Sequence, residues 1–112
     1  MALQAVCDGD IKQLERCLSL GLALDINQTI DHDGKFSAAT LAAHLDKLEV
    51  LHFLDLHGAD LNKGAGKFSN TPLMTALMRW NVRVIDYLME RRVDPHVKDT
   101  FGFTAKRKAQ IK

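Results

Sequence analysis

Five histidines are the residues best suited to metal or proton chemistry in this chain, and their spacing argues against both uses. His52 and His57 lie five apart, one residue beyond the i, i+4 pair that grips zinc from one helix face, and no HExxH run is present. His44 falls in a helical pattern and His96 in a polar turn, so these side chains do not converge. The Asp31-His32-Asp33 run carries donors for a divalent ion, yet a solvated turn closed by Gly34 accounts for it equally well. Cys7 and Cys17 are ten apart, which fits neither a CxxC redox pair nor a zinc knuckle. Both sit in helical patterns and are expected to be buried free thiols, suited to a reducing compartment. Gly64-Ala65-Gly66-Lys67 is too short to wrap phosphates and reads as a loop tip, and no G-x-S-x-G, Walker or G-x-G-x-x-G loop occurs. The sequence therefore predicts no catalytic residue, no metal and no cofactor.

The bulk composition describes what such a chain can build. At 112 residues and 46% apolar content it has room for one domain with its own core. Fifteen basic residues against fourteen acidic ones give no global attraction to nucleic acid or an anionic membrane. No run of apolar residues reaches the length of a membrane span, and Met1 to Asp10 lacks the layout of a leader peptide. A cytoplasmic or nuclear protein is expected.

The elements that would position any site repeat along the chain. His57-Gly58-Ala59-Asp60-Leu61-Asn62 aligns with Arg91-Arg92-Val93-Asp94-Pro95-His96 at an offset of 34 residues, and Ser37/Thr71 and Ala42/Ala76 share it. Between these landmarks lie two short helical patterns per copy. Leu41, Ala42 and Leu45 mark one helix, and Leu48, Val50, Leu51 and Leu54 the next. Leu73, Ala76 and Leu77, then Val82, Val84, Ile85, Leu88 and Met89, repeat the pair. Leu3, Ala5 and Val6, then Ile11, Leu14, Cys17 and Leu18, form a degenerate first pair, joined to the second by a longer connection over Asp25 to Phe36.

Thr71-Pro72-Leu73-Met74-Thr75-Ala76 resembles the T-P-L-H-x-A signature of the ankyrin-repeat family. Leu56 to Asn62 looks like the L-x-x-G-A-D-V-N that closes the family's second helix, and Asp99 to Thr104 resembles the start of a further repeat. The resemblance implies an all-α ankyrin-repeat solenoid with β-hairpin-like loops, in one domain over 1–112. Its units would run approximately 1–31, 32–65 and 66–98, with a partial fourth at 99–112. Thr71 suits an N-cap, Pro72 the first helical turn, and Gly58 a left-handed helix end. Ser37-Ala38-Ala39-Thr40 departs from the signature and weakens the second unit. Ile111-Lys112 breaks off in mid-pattern, which reads as the edge of a longer chain more than as a finished cap.

By the same resemblance, hairpin tips and the exposed side of the inner helices form a groove for a protein or peptide. Mapped onto this sequence the groove comprises Asp33, Phe36, His44, Leu45, Lys67, Phe68, Asn70, Met78, Arg79, Thr100, Phe101 and Phe103. Phe68 and Phe101 are its strongest candidates, while Phe36 and Phe103 are equally suited to packing against the next hairpin. Trp80 replaces the family's usual glycine and is expected to pack between helices, with Asn81 taking the left-handed turn. Lys106-Arg107-Lys108, with Arg91, Arg92, Lys98 and Lys112, forms the one local charge excess. It suits a solvated cap or an acidic partner segment better than nucleic acid. Leu54, Ala59, Asp60, Leu61 and Asn62 also resemble the spacing at which an oxygen-dependent asparaginyl hydroxylase modifies ankyrin hairpins, beside the plainer role of an asparagine bonding its own backbone. A non-enzymatic interaction module is the expectation, with a small stand-alone inhibitor that covers an enzyme's active site as the alternative.

Overall fold

Ser and Thr immediately before short apolar runs set the helix starts. Thr71 Oγ1 accepts from Met74 N at 3.2 Å, and Pro72 occupies the first turn, where a missing N–H costs nothing. Ser37 reaches the same end by another route: its Oγ accepts from Thr40 N at 3.2 Å, while Thr40 Oγ1 accepts from Ser37 N at 2.8 Å. That reciprocal capping box satisfies two orphan donors at once, so the departure from the signature leaves the helix start intact.

The structure, a computed structural model, describes residues 2–19 and 35–110. Its helices are α1 (Ala2–Asp8), α2 (Ile11–Ser19), α3 (Ala38–His44), α4 (Leu48–Leu56), α5 (Pro72–Arg79), α6 (Val82–Glu90) and α7 (Ala105–Gln110). No strand is formed among the described residues; an isolated antiparallel bridge joins Ala65 and Asn70. The Asp31-His32-Asp33 turn, Asp33 as a groove candidate and the Cys17 side chain lie outside the described residues. Cys7 is a free thiol, partly rather than fully buried.

Each pair turns on a left-handed residue: Gly9 at φ 68, Asp46 at φ 59 and Trp80 at φ 57. The third differs from expectation, because Trp80 takes the left-handed conformation and Asn81 stays at φ −81. Asn81 has other work. Its Nδ2 donates to the carbonyls of Ala43 at 2.6 Å and His44 at 3.3 Å, meeting acceptors that the end of α3 leaves open. Trp80 is also 59% exposed instead of packed between helices. After the second helices, Gly58 is left-handed as the sequence predicts, with Arg92 in the matching position.

The first helices of the pairs pack in one row, α1 on α3, α3 on α5 and α5 on α7; the second helices form another, α2 on α4 and α4 on α6. Buried alanines at 38, 39, 42, 43 and 76 let the first row close tightly. Leu14, Leu51, Leu54, Met74, Val84 and Leu88 belong to the single apolar core and are among the largest wholly buried side chains. Packing only onto neighbours draws the molecule out to 41 × 26 × 20 Å. No helix among the described residues is long and apolar enough to cross a membrane.

Candidate functional site

Two loops, 65–70 and 99–103, project beyond the helices and are tied to each other. Ala65 and Asn70 exchange backbone hydrogen bonds of 2.9 and 3.2 Å, closing the first loop over Gly66 and Lys67. Gly64 has no room for a side chain, since a Cβ would run into the Ser69 carbonyl. The second loop closes on Asp99, whose Oδ1 accepts from Phe101 N and Phe103 N. Thr100 then joins the loops: its N–H donates to Phe68 O at 2.9 Å and its Oγ1 to Lys67 O at 2.8 Å.

This lashing sets the rings of Phe68 and Phe101 5.7 Å apart and tilted by 30°. Both face solvent, 40% and 66% exposed, and Phe103 beside them is 37% exposed. The Lys67 ammonium lies 6.0 Å from the Phe68 ring centre. A shallow cavity of ≈ 170 Å³ opens there, lined by Lys35, Ala65, Lys67, Phe68 and Asn70. Aromatic rings held rigid by backbone bonds and edged with lysines can stack on a partner's apolar side chain and attract a carboxylate.

The remaining groove candidates gather at the ends of the first-row helices. Met78 and Arg79 are exposed at the end of α5. His44 packs its ring 5.0 Å from Phe36, and both are half-buried. Burial first, then Arg79 and Lys35, hold the His44 pKa below the usual imidazole value. Its shift therefore lends stability at neutral pH that is lost as pH falls below about 6.5. Leu45 is partly buried against the core, a supporting position more than a contact one. Asn62 does not bond its own backbone: its Oδ1 accepts from Asp94 N at 2.6 Å in the next loop, while Asp60 Oδ1 takes the Asn62 N–H.

One polar cluster was not anticipated from the sequence. Tyr87 OH on α6 donates to Asp55 Oδ2 on α4 at 2.6 Å, with His52 Nδ1 3.1 Å from the same hydroxyl. Arg91 Nε also meets Asp55 Oδ2, at 2.6 Å. Tyr87 and Arg91 are an i, i+4 pair aimed back at an acid one unit earlier, a signal visible only once units are laid over each other. Burial, then the bond to Asp55, push the Tyr87 pKa up to about 12. Tyr87→Phe is expected to lower unfolding free energy by about 1 kcal/mol, read from urea denaturation. In the native chain stability should be full below about pH 10 and fall as pH rises toward 12, because only the unfolded state then loses the phenolic proton. The phenylalanine variant should lack that alkaline slope. No group of three or more metal-ligating side chains occurs among the described residues.

Residues 69–100 match the ankyrin-repeat family model, and the short paired helices are consistent with all-α repeats of that kind. The chain carries an ankyrin repeat there. It is similar to palmitoyltransferase AKR1 of Lachancea kluyveri, 30% identical over 95 residues that make up 85% of this chain and 13% of that protein. Palmitoyltransferase AKR1 of Kluyveromyces lactis is 27% identical over 100 residues, 88% of this chain and again 13% of the relative. The chain thus spans about an eighth of the length of these curated relatives.

Proposed function

We propose that this chain is a non-enzymatic protein-interaction module, a solenoid of about three ankyrin repeats with part of a fourth, that binds through its loop tips and the exposed ends of its first-row helices. The unit boundaries given from the sequence, 1–31, 32–65, 66–98 and 99–112, belong to this proposal. One observation carries it: Phe68 and Phe101, from successive loops, stand exposed in contact with each other and are held by the Thr100 bonds. Leaving two phenylalanines in water on a rigid mount is unfavourable for folding alone and useful for recognition.

The partner we propose is a protein or peptide segment with apolar and acidic side chains, matching the phenylalanines and Lys35, Lys67 and Arg79. Met78, Asn70, Thr100 and Phe103 extend the contact, with Phe36, His44 and Leu45 supporting it. No cofactor enters this reading, and the palmitoyl-transfer activity in the relatives' name is not carried over, since the likeness covers only about an eighth of their length. A cytoplasmic setting is part of the proposal. Capture of a partner by the native chain, and its loss with Phe68→Ala/Arg79→Ala/Phe101→Ala, tests the site.

Asn62 is proposed as a modification position as well as a bridge between loops. Peptide mass spectrometry of the chain from hydroxylase-containing cells should find one added oxygen on Asn62; its absence removes the idea and leaves the bridge.

A further inference from the structure

His44 stands where the ends of two first-row helices meet. Asn81, between α5 and α6, donates through Nδ2 to the carbonyls of Ala43 and His44, which fixes the end of α5 beside the end of α3. The His44 ring is half-buried 5.0 Å from Phe36, and the Lys35 ammonium lies 5.4 Å from the centre of that same Phe36 ring. Arg79, the last residue of α5, is exposed at this junction.

The charges that act on the imidazole, among the described residues, are of one sign: Arg79 from α5 and Lys35 from the segment ahead of α3. Charged and titratable groups on the other elements packed against α3 face elsewhere. Asp8 of α1 lines a separate cavity on the turn side with Asp46, Lys47 and Glu49, while His52 and Asp55 of α4 are bound to Tyr87. Cys7 of α1 packs on the apolar core. Burial and the two like charges keep His44 neutral near pH 7.

An anion at the junction reverses that balance. A carboxylate set between Arg79 and His44 offsets the two cations, and a proton on the imidazole then gains a charge-assisted hydrogen bond. A group whose pKa is higher in the complex than in the free chain is bound with a proton, so affinity rises as pH falls.

We propose that an acidic residue of the partner seats between His44 and Arg79, at the junction of α3 and α5, and that binding takes up a proton at His44. This deepens the loop-edge reading, on which it rests: His44 contacts the partner and makes recognition of its acidic segment proton-linked.

The probe is a blocked synthetic peptide of leucine, serine and aspartate, titrated calorimetrically into the whole chain at about pH 7.5 and about pH 5.8, where its carboxylates stay ionised. The native chain should bind about three- to tenfold tighter at the lower pH, with a heat that varies with the buffer's ionisation enthalpy because a proton is taken up. The His44 ring signal should titrate at higher pH with peptide than without. His44→Gln, which leaves the backbone bond to Asn81 in place, should bind with an affinity that pH does not alter, and so should the native chain with an asparagine version of the peptide. Phe68→Ala/Phe101→Ala should weaken binding at both pH values and keep their ratio. Equal native affinity at the two pH values, or a pH response that survives in His44→Gln, overturns the proton link and leaves the loop edge standing. No binding at either pH up to about 1 mM peptide, or binding that the double phenylalanine variant does not weaken, overturns the loop-edge reading for partners of this chemistry and the proposal with it.

Discussion

Leu51→Ala is expected to destabilise the chain by about 2–5 kcal/mol, the range for a fully buried leucine truncated where neighbours cannot collapse into the space. Leu51 is wholly buried on α4, and α4 packs on α2, α3 and α6. A cavity there removes contacts from both helix rows at the middle of the stack, where each unit depends on its neighbours. Roughly 4–8 °C of melting temperature should accompany each kcal/mol for a domain near this size. Val82→Ala is the matched control: Val82 is 53% exposed on α6, and its truncation should stay within about 0.5 kcal/mol. Calorimetric or urea unfolding of both variants checks the packing. A Leu51→Ala loss below about 1 kcal/mol would mean that the two rows do not meet at α4.

The second large effect is on binding. Phe68→Ala/Arg79→Ala/Phe101→Ala is expected to weaken partner affinity by at least about 2 kcal/mol, or roughly thirtyfold, since hot-spot aromatic and arginine side chains each lose on that order when truncated. Stability should change little, because Phe68, Arg79 and Phe101 are exposed and the loop-to-loop bonds use backbone and Thr100 atoms. The Phe68–Phe101 contact adds a small stacking term that the variant forfeits, on the order of 0.5–1.5 kcal/mol. Urea unfolding separates the two losses. A fall in stability as large as the fall in affinity would place these rings in the core of the loop stack.

Much of this architecture is readable from the residues because it repeats. Thr71-Pro72 marks the α5 start, Gly58 the α4 end, and the 34-residue offset places the second and third helix pairs in register. What escaped notice depended on contacts between units. Ser37 and Thr40 build a full capping box from residues outside the family signature. Trp80 takes the left-handed backbone that Asp46 takes one unit earlier, while the Asn81 side chain reaches across to the α3 carbonyls. Asn62 looks like a self-bonding turn residue until the next loop supplies the Asp94 N–H. The Tyr87–Asp55–Arg91 cluster likewise joins side chains some 32 to 36 positions apart. Among the groove candidates the sequence locates Phe68 and Phe101 on adjacent loops, and only the Thr100 bonds bring their rings together.

The most direct test of the interaction reading is amide chemical-shift mapping of the labelled chain with a purified partner that the native protein captures and the triple variant does not. Shifts should concentrate at residues 67–70, 78–79 and 100–103 and leave the outward side of α2 and α4 unchanged. Shifts confined to α2 and α4, with the loop edge silent, would contradict it.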